Sequence, residues 1–168
     1  MTIDIKSLAP KWQKKRKEAG VYKTQEWGGK PKYYVLDMFP YPSGAGLHVG
    51  HPKGYVASDV IARKKMLEGY NVLHPMWFDT FGLGTEQYAI DHKMKPQVVA
   101  EQNIKTYISQ LEKIGFSYDW ERSFSTADPE FYKWTQMIFL KFYNAYFDEK
   151  DQKAKPISEL EEKLKKEQ

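Results

Sequence analysis

Hydrophobic and polar positions follow two rhythms along this chain. "KYYVLDMF", Lys32–Phe39, is dense in aromatic and aliphatic residues and predicts a buried strand. A loop, Pro40–Leu47, follows with two prolines and two glycines. From His48 to Glu68 the rhythm turns helical: Val49, Val56, Val60 and Leu67 recur at helical intervals, and Gly69 closes the segment. "NVLHPM", Asn71–Met76, predicts a second short strand. Strand, helix and strand with brief connections make a right-handed βαβ unit with parallel strands.

Further elements follow. Glu86–Lys93 predicts a short helix, and Pro96–Ile114 a longer one with Ile104, Tyr107, Ile108, Leu111 and Ile114 on one stripe. "RSFST", Arg122–Thr126, fits a third short strand. Asp128 and Pro129 cap and start a helix to about Phe147. Apolar residues cover most of its circumference, which implies burial on several sides, self-association, or docking of another chain. At the start, Pro10 and Gly20 bracket a short helix, Pro10–Ala19, with a thin apolar face. After Phe147 the chain is highly charged. Asp148–Lys155 reads as a linker and Pro156–Lys166 as a marginal helix, a solvated tail being the alternative. Two regions are thus expected, 1–147 and 148–168.

Composition narrows the class. The 168 residues are 41% hydrophobic and 15% aromatic, which excludes a disordered chain and allows a packed core. The net charge of +4 favours anionic partners only weakly, since a solvated lysine-rich surface gives the same sum. There is no cysteine, which excludes disulfides and zinc knuckles and suits a cytoplasmic location. No apolar run is long enough to cross a membrane, and the polar N-terminus is not that of a signal peptide.

The candidate chemistry sits in "PYPSGAGLHVGH", Pro40–His51. A strand, a glycine-containing loop and a helix N-terminus form an anion site, with free N–H groups in the first turn and a favourable macrodipole. His48 and His51, three apart, are expected on one helical face, able to donate hydrogen bonds to phosphate oxygens as charge builds. The pair alone admits other readings. It could bind a metal, although Asp37 precedes the loop and no third ligand is near, or be two satisfied histidines.

The surrounding residues carry a resemblance. "HVGH" resembles the HIGH signature of class I aminoacyl-tRNA synthetases. "MFPYPSGAGLHVGHPKGYVASDVIARKKMLEGYNVLHPM" is similar to the leucyl-tRNA synthetase family, as are "TEQYAI" and "GFSYDWERSFSTADPEFYKWTQ" further on. The similarity runs from about Pro10 to Phe147. It implies an α/β fold, half of a Rossmann-like catalytic domain. One small parallel sheet would form from Lys32–Met38, Asn71–Met76 and Arg122–Thr126, with helices on its faces and ligands at the carboxyl ends of its strands.

By family, the implied reaction is activation of leucine with ATP to leucyl-adenylate, then transfer to the terminal adenosine of leucine tRNA. ATP enters with Mg2+ as substrate, and neither a tightly bound cofactor nor a protein metal site is expected. His48 and His51 match the histidines that contact ATP phosphates. Gly46 and Gly50 belong to the same ATP site, Gly50 matching the glycine against which adenine or ribose lies. Met38, Phe39 and Tyr41 match the wall of the leucine pocket, although each also reads as ordinary core. Asp79 matches the carboxylate that pairs with the leucine ammonium, and a helix N-cap is a compatible second role.

The chain also departs from that family. It holds no KMSKS loop, the second catalytic signature, and no zinc, editing or anticodon-binding region. One wall of the ATP site is therefore expected, with weak or no activity and little tRNA affinity by itself. "WFDTFGLGTE" stands where the family reads close to "GWDAFGLPAE", so Trp77 replaces a glycine beside the pocket and Gly84 a proline. Lys15 and Arg16 replace aromatics, and Met137 a tryptophan. These changes suit a fragment adapted, by engineering or selection, to stand alone. A catalytically dead scaffold, or one half of a split enzyme, is the competing expectation.

Overall fold

The computed structural model describes residues 4–44 and 46–166. Strand β1 (Lys32–Tyr34) pairs parallel with β2 (Asn71–Leu73), and helix α2 (Gly50–Leu67) connects them, as the βαβ pattern requires. Val35 N–H donates to Leu73 O at 2.9 Å, which carries the ladder one residue further. The predicted strand ran on to Met38. The ladder stops sooner because Asp37 and Met38 are held by side chains, and Pro40 has no N–H to offer.

The third expected strand forms, but in another pairing. β4 (Phe124–Ser125) runs parallel to β3 (Trp77–Phe78), and this pair is separate from β1–β2. Pro75 lies between β2 and β3 and lacks the donor that a continuous strand needs. His74 O is instead taken by Asp119 N–H at 2.8 Å, and Met76 O by the Ser123 hydroxyl at 2.8 Å.

Helix α1 (Ile5–Glu18) starts five residues before the predicted Pro10, because Asp4 caps it by accepting Lys6 N–H at 3.1 Å. Helix α3 (Leu83–Asp91) begins three residues earlier than predicted. Helix α4 (Pro96–Ile114) matches its predicted bounds and ends on Gly115, whose φ of 90° suits the left-handed cap. A short 3-10 turn, Trp120–Arg122, precedes β4.

The buried face of α2 is not the predicted one. Val49 is 90% exposed and Leu67 89%, while Tyr55, Asp59 and Ala62 point inward. The inward face, i, i+4, i+7, is selected by polar partners rather than by its valines. Asp59 accepts from Ser117 N–H at 2.5 Å, from the Ser117 hydroxyl at 2.6 Å and from Arg63 at 2.6 Å. The main core joins Tyr55, Met76, Phe78, Tyr107, Leu111, Phe116 and Tyr118; Val35, Ala62 and Val72 form a second cluster.

The chain divides into two compact units at Ala127/Asp128, twenty residues before the boundary expected from composition. In the second unit, α5 (Pro129–Tyr143) stops short of Phe147, because Ala145–Asp148 is strand β5. The expected linker is a hairpin. β5 pairs antiparallel with β6 (Lys153–Pro156), and α6 (Ile157–Lys166) follows. Asp148 holds the turn by accepting Lys150 and Asp151 N–H at 3.0 Å each and the Lys155 ammonium at 2.8 Å. The Lys155 bond, then the turn amide of Asp151, hold its carboxyl well below the usual range.

Lys15 and Arg16 are exposed. Trp134, Phe139, Phe142 and Tyr143 on α5 are all more than half exposed, so the apolar surface as a whole has not been replaced. Among the described residues, no helix is long and apolar enough to cross a membrane.

Two outcomes follow for folding. Leu111→Ala, at a fully buried site, is expected to cost about 2–5 kcal/mol in urea unfolding. Asp148→Ala is expected to strip hydrogen-exchange protection from the Lys150 and Asp151 amides while leaving that of α4 intact.

Candidate functional site

The loop between β1 and α2 is held at its upstream end by one buried carboxylate. Asp37 Oδ2 accepts the Tyr118 hydroxyl at 2.7 Å and lies 3.1 Å from His74 Nε2. Oδ1 accepts the hydroxyl of Ser58, one turn after Tyr55 on α2. The Tyr55 hydroxyl in turn donates to Met38 O at 2.9 Å. His74 is fully buried, with Nδ1 3.3 Å from Ser117 Oγ, which leads on to Asp59 and Arg63.

Burial alone would push the Asp37 carboxyl up, but the bonds from His74, Ser58 and Tyr118 outweigh it and hold the group below its ordinary value. Burial, reinforced by the Asp37 charge, pushes the Tyr118 and Tyr55 hydroxyls well up, so both stay neutral donors.

The two histidines stand where that loop meets α2. The helix starts at Gly50, so His48 precedes it rather than sharing a helical face with His51. The rings still meet, with centroids 4.0 Å apart. Gly50 N–H donates to His48 Nδ1 at 3.1 Å, and His48 N–H donates to His51 Nδ1 at 3.3 Å. Each neutral ring therefore carries its proton on Nε2, and that N–H remains to serve a ligand.

Among the described residues, two of the expected backbone donors are engaged and a third is absent. Gly50 N–H is spent on His48, His51 N–H bonds His48 O at 3.0 Å, and residue 52 is proline. The imidazole Nε2–H groups therefore stand at the start of α2, within the field of the helix dipole. Burial, then the neighbouring His48, lowers the His51 pKa, which favours the neutral ring. Gly50 has a local reason of its own, since a Cβ there would lie 2.8 Å from the His48 ring. Gly46 lies upstream on the loop, half-buried against the Gln110 side chain.

The residues matched to a leucine pocket lie on the other side of the loop. Asp79 N–H donates to Pro40 O at 3.1 Å, which brings the end of β3 beside Phe39 and Tyr41. The Asp79 carboxylate is half-buried and has no side-chain partner among the described residues. The alternative N-cap role is not realised, because Gly82 occupies the N-cap of α3. Trp77 packs between Phe39 and Phe124, with centroids 5.9 and 4.9 Å away, so its ring lies against the proposed wall. Met38 is 86% exposed.

Tyr41 has a structural role that the sequence did not reveal. Its hydroxyl accepts Thr85 N–H at 3.0 Å and so caps α3. A Cβ at Gly82 would lie 2.6 Å from that hydroxyl, and φ there is +152°, so glycine is required twice over. At Gly84 a Cβ would lie 3.1 Å from the same ring, which makes the departure from proline a close-packed one rather than a loosened turn.

Several site residues were not legible in the sequence: Tyr55, Ser58, His74, Thr85 and Tyr118. "NVLHPM" placed His74 on a strand, but only the fold shows that its ring meets Asp37 from residue 37 and Ser117 from residue 117.

The Asp37 cluster gives stability a definite pH sign. A carboxyl held below its unfolded value of about 3.9 contributes fully above that pH, and the contribution is lost as pH falls through the lower folded value. In urea unfolding from pH 7 to pH 3, Asp37→Asn is expected to be less stable at neutral pH and to converge with the unaltered chain in acid. Parallel pH curves would count against this account.

Comparison with known proteins places these features. The family described as tRNA synthetases class I (M) matches residues 33–164. The leucine–tRNA ligase of Cytophaga hutchinsonii is 57% identical over 150 residues, 89% of this chain and 16% of the relative. That of Parabacteroides distasonis is 53% identical over 160 residues, 95% of this chain and 17% of the relative. Among solved structures, the Agrobacterium radiobacter K84 LeuRS-tRNA-LeuAMS ternary complex aligns with a TM-score of 0.79 and 34% identity, covering 88% of this chain and 19% of that one. Mycobacterium tuberculosis methionyl-tRNA synthetase in complex with methionyl-adenylate aligns at 0.58 and 30%, covering 70% and 23%. The chain spans less than a fifth of the length of these leucine–tRNA ligases. With the family matched over most of its residues and the α/β fold shared, this chain belongs to the class I tRNA synthetases, in their leucyl branch.

Proposed function

We propose that this chain forms the wall that takes ATP and leucine during leucyl-adenylate synthesis. The observation that carries the reading is the paired Nε2–H donors of His48 and His51, left available because both Nδ1 atoms are engaged by backbone N–H groups.

In the proposed step a leucine carboxylate oxygen attacks the α-phosphorus of ATP. The new O–P bond gives the mixed anhydride, and the bond to pyrophosphate breaks. The nucleophile is already ionised, so no residue needs to remove a proton. Negative charge gathers on the phosphate oxygens, and two preoriented N–H donors meet it without reorganisation. His48 and His51 thus act as electrostatic stabilisers, and Mg2+ arrives with the nucleotide. Gly46 and Gly50 keep the approach open. Phe39, Tyr41 and Met38 would surround the isobutyl group, and the Asp79 carboxylate, without a side-chain partner among the described residues, would take its ammonium.

The similarity to leucine–tRNA ligases supports leucine as the substrate, and the LeuRS-tRNA-LeuAMS complex supports tRNA as the later acceptor. Transfer to tRNA belongs to the longer proteins that this chain matches in part, and a cytoplasmic location goes with that role. One observation favours a second reading, a nucleotide-fold scaffold without activity: Trp77 packs against Phe39, where the family has a glycine.

Leucine-dependent ATP–pyrophosphate exchange tests the two readings. Exchange by the unaltered chain that drops at least tenfold in His48→Ala/His51→Ala is the expected result, since each charge-assisted bond is worth about 1.5–3 kcal/mol. A rate indifferent to the double substitution would leave the scaffold reading.

A further inference from the structure

We infer that one face of α4, Asn103, Tyr107 and Gln110, is a positioning device that sets the ATP loop. This rests on the proposed ATP reading and assigns roles to residues which the resemblance leaves without one. The three residues stand at i, i+4 and i+7, so their side chains share one side of the helix. Asn103 and Gln110 take different points of the loop. Asn103 Nδ2 donates to Pro42 O at 2.8 Å, and Gln110 Oε1 accepts Leu47 N–H at 2.8 Å. The tyrosine also lies against the catalytic pair, its ring centroid 6.1 Å from that of His51.

Contacts at residues 42 and 47 follow the loop into the helix start, and the second lies one residue before His48. Asn103 and Tyr107 are buried, so the Asn103 bond is made away from water. The fit is close at the glycine between them. A Cβ on Gly46 would lie 2.7 Å from Gln110 Nε2, so the absence of a side chain there lets Gln110 reach Leu47. The loop itself carries glycines and has no ladder of its own. A rigid helix therefore supplies the order that a phosphate site needs before its ligand arrives. Upstream, Asp37 and Tyr55 perform the same service from α2 and its neighbours.

Titration calorimetry with MgATP tests the assignment in the chain as it stands. Gln110→Leu is expected to weaken ATP about tenfold, the worth of one lost hydrogen bond in a preorganised site. Gln102→Leu, the same replacement on the exposed side of α4, is expected to change nothing. Amide exchange at Leu47 supplies a readout independent of ATP. Its protection is expected to fall in Gln110→Leu and to persist in Gln110→Glu, which keeps an acceptor oxygen. Unchanged ATP affinity in Gln110→Leu, or equal Leu47 protection in both variants, would overturn the positioning role. No ATP binding by the unaltered chain would instead overturn the ATP reading and, with it, this assignment.

Discussion

Everything near the site depends on one carboxylate kept out of water. Asp37 is paired with His74 and receives hydroxyls from Ser58 and Tyr118, so β2, α2 and the segment before the 3-10 turn all converge on a single group. Taking an ion from water costs several kcal/mol, and only a full set of donors offsets that. The arrangement therefore tolerates little displacement. Asp37 directly precedes Met38, so its position fixes where the loop leaves the strand. The Tyr55–Met38 bond then ties that departure to the helix on which His51 stands.

The same polarity explains a core that hydrophobicity alone would misplace. α2 turns Asp59 inward and leaves Val56 and Val60 outside, because Asp59 satisfies both the amide and the hydroxyl of Ser117. Arg63 extends the network from Asp59 to Tyr22 and Gly115 O, at 2.9 and 2.5 Å. An apolar replacement at the centre of such a network would leave several buried groups unpaired, which costs more than a lost methyl group. The rows of aromatic rings around Tyr118 fill the space between these bonds.

The chemistry proposed for the loop asks for little else. A carboxylate nucleophile and a phosphate electrophile need orientation and a place for charge, and neither demands a base of tuned pKa. Imidazoles whose Nδ1 atoms are already engaged are suited to this, because the remaining N–H of each is fixed in identity and direction. Exposed apolar residues on α1 and α5 agree with a stretch whose relatives are five to six times longer. Nothing in the second unit enters the proposed chemistry.

The sequence by itself determined what depends on local order. The βαβ connection, the bounds of α4, the loop into α2 and the HVGH residues were all legible, because periodicity and turn chemistry act over a few positions. The resemblance carried the family from runs of identical residues, independently of any geometry. Tertiary structure decided the rest. It paired Phe124–Ser125 with Trp77–Phe78 instead of adding it to the first strands, and it converted a charged stretch after Phe147 into a hairpin held by Asp148. It turned Tyr41 into a helix cap, tied the Nδ1 atoms of His48 and His51 to backbone N–H groups, and brought Asp37, His74 and Tyr118 together. Those outcomes depend on which distant donor satisfies which buried acceptor. Residues 37 positions apart in the chain carry no mark of that until the fold places them 3.1 Å apart.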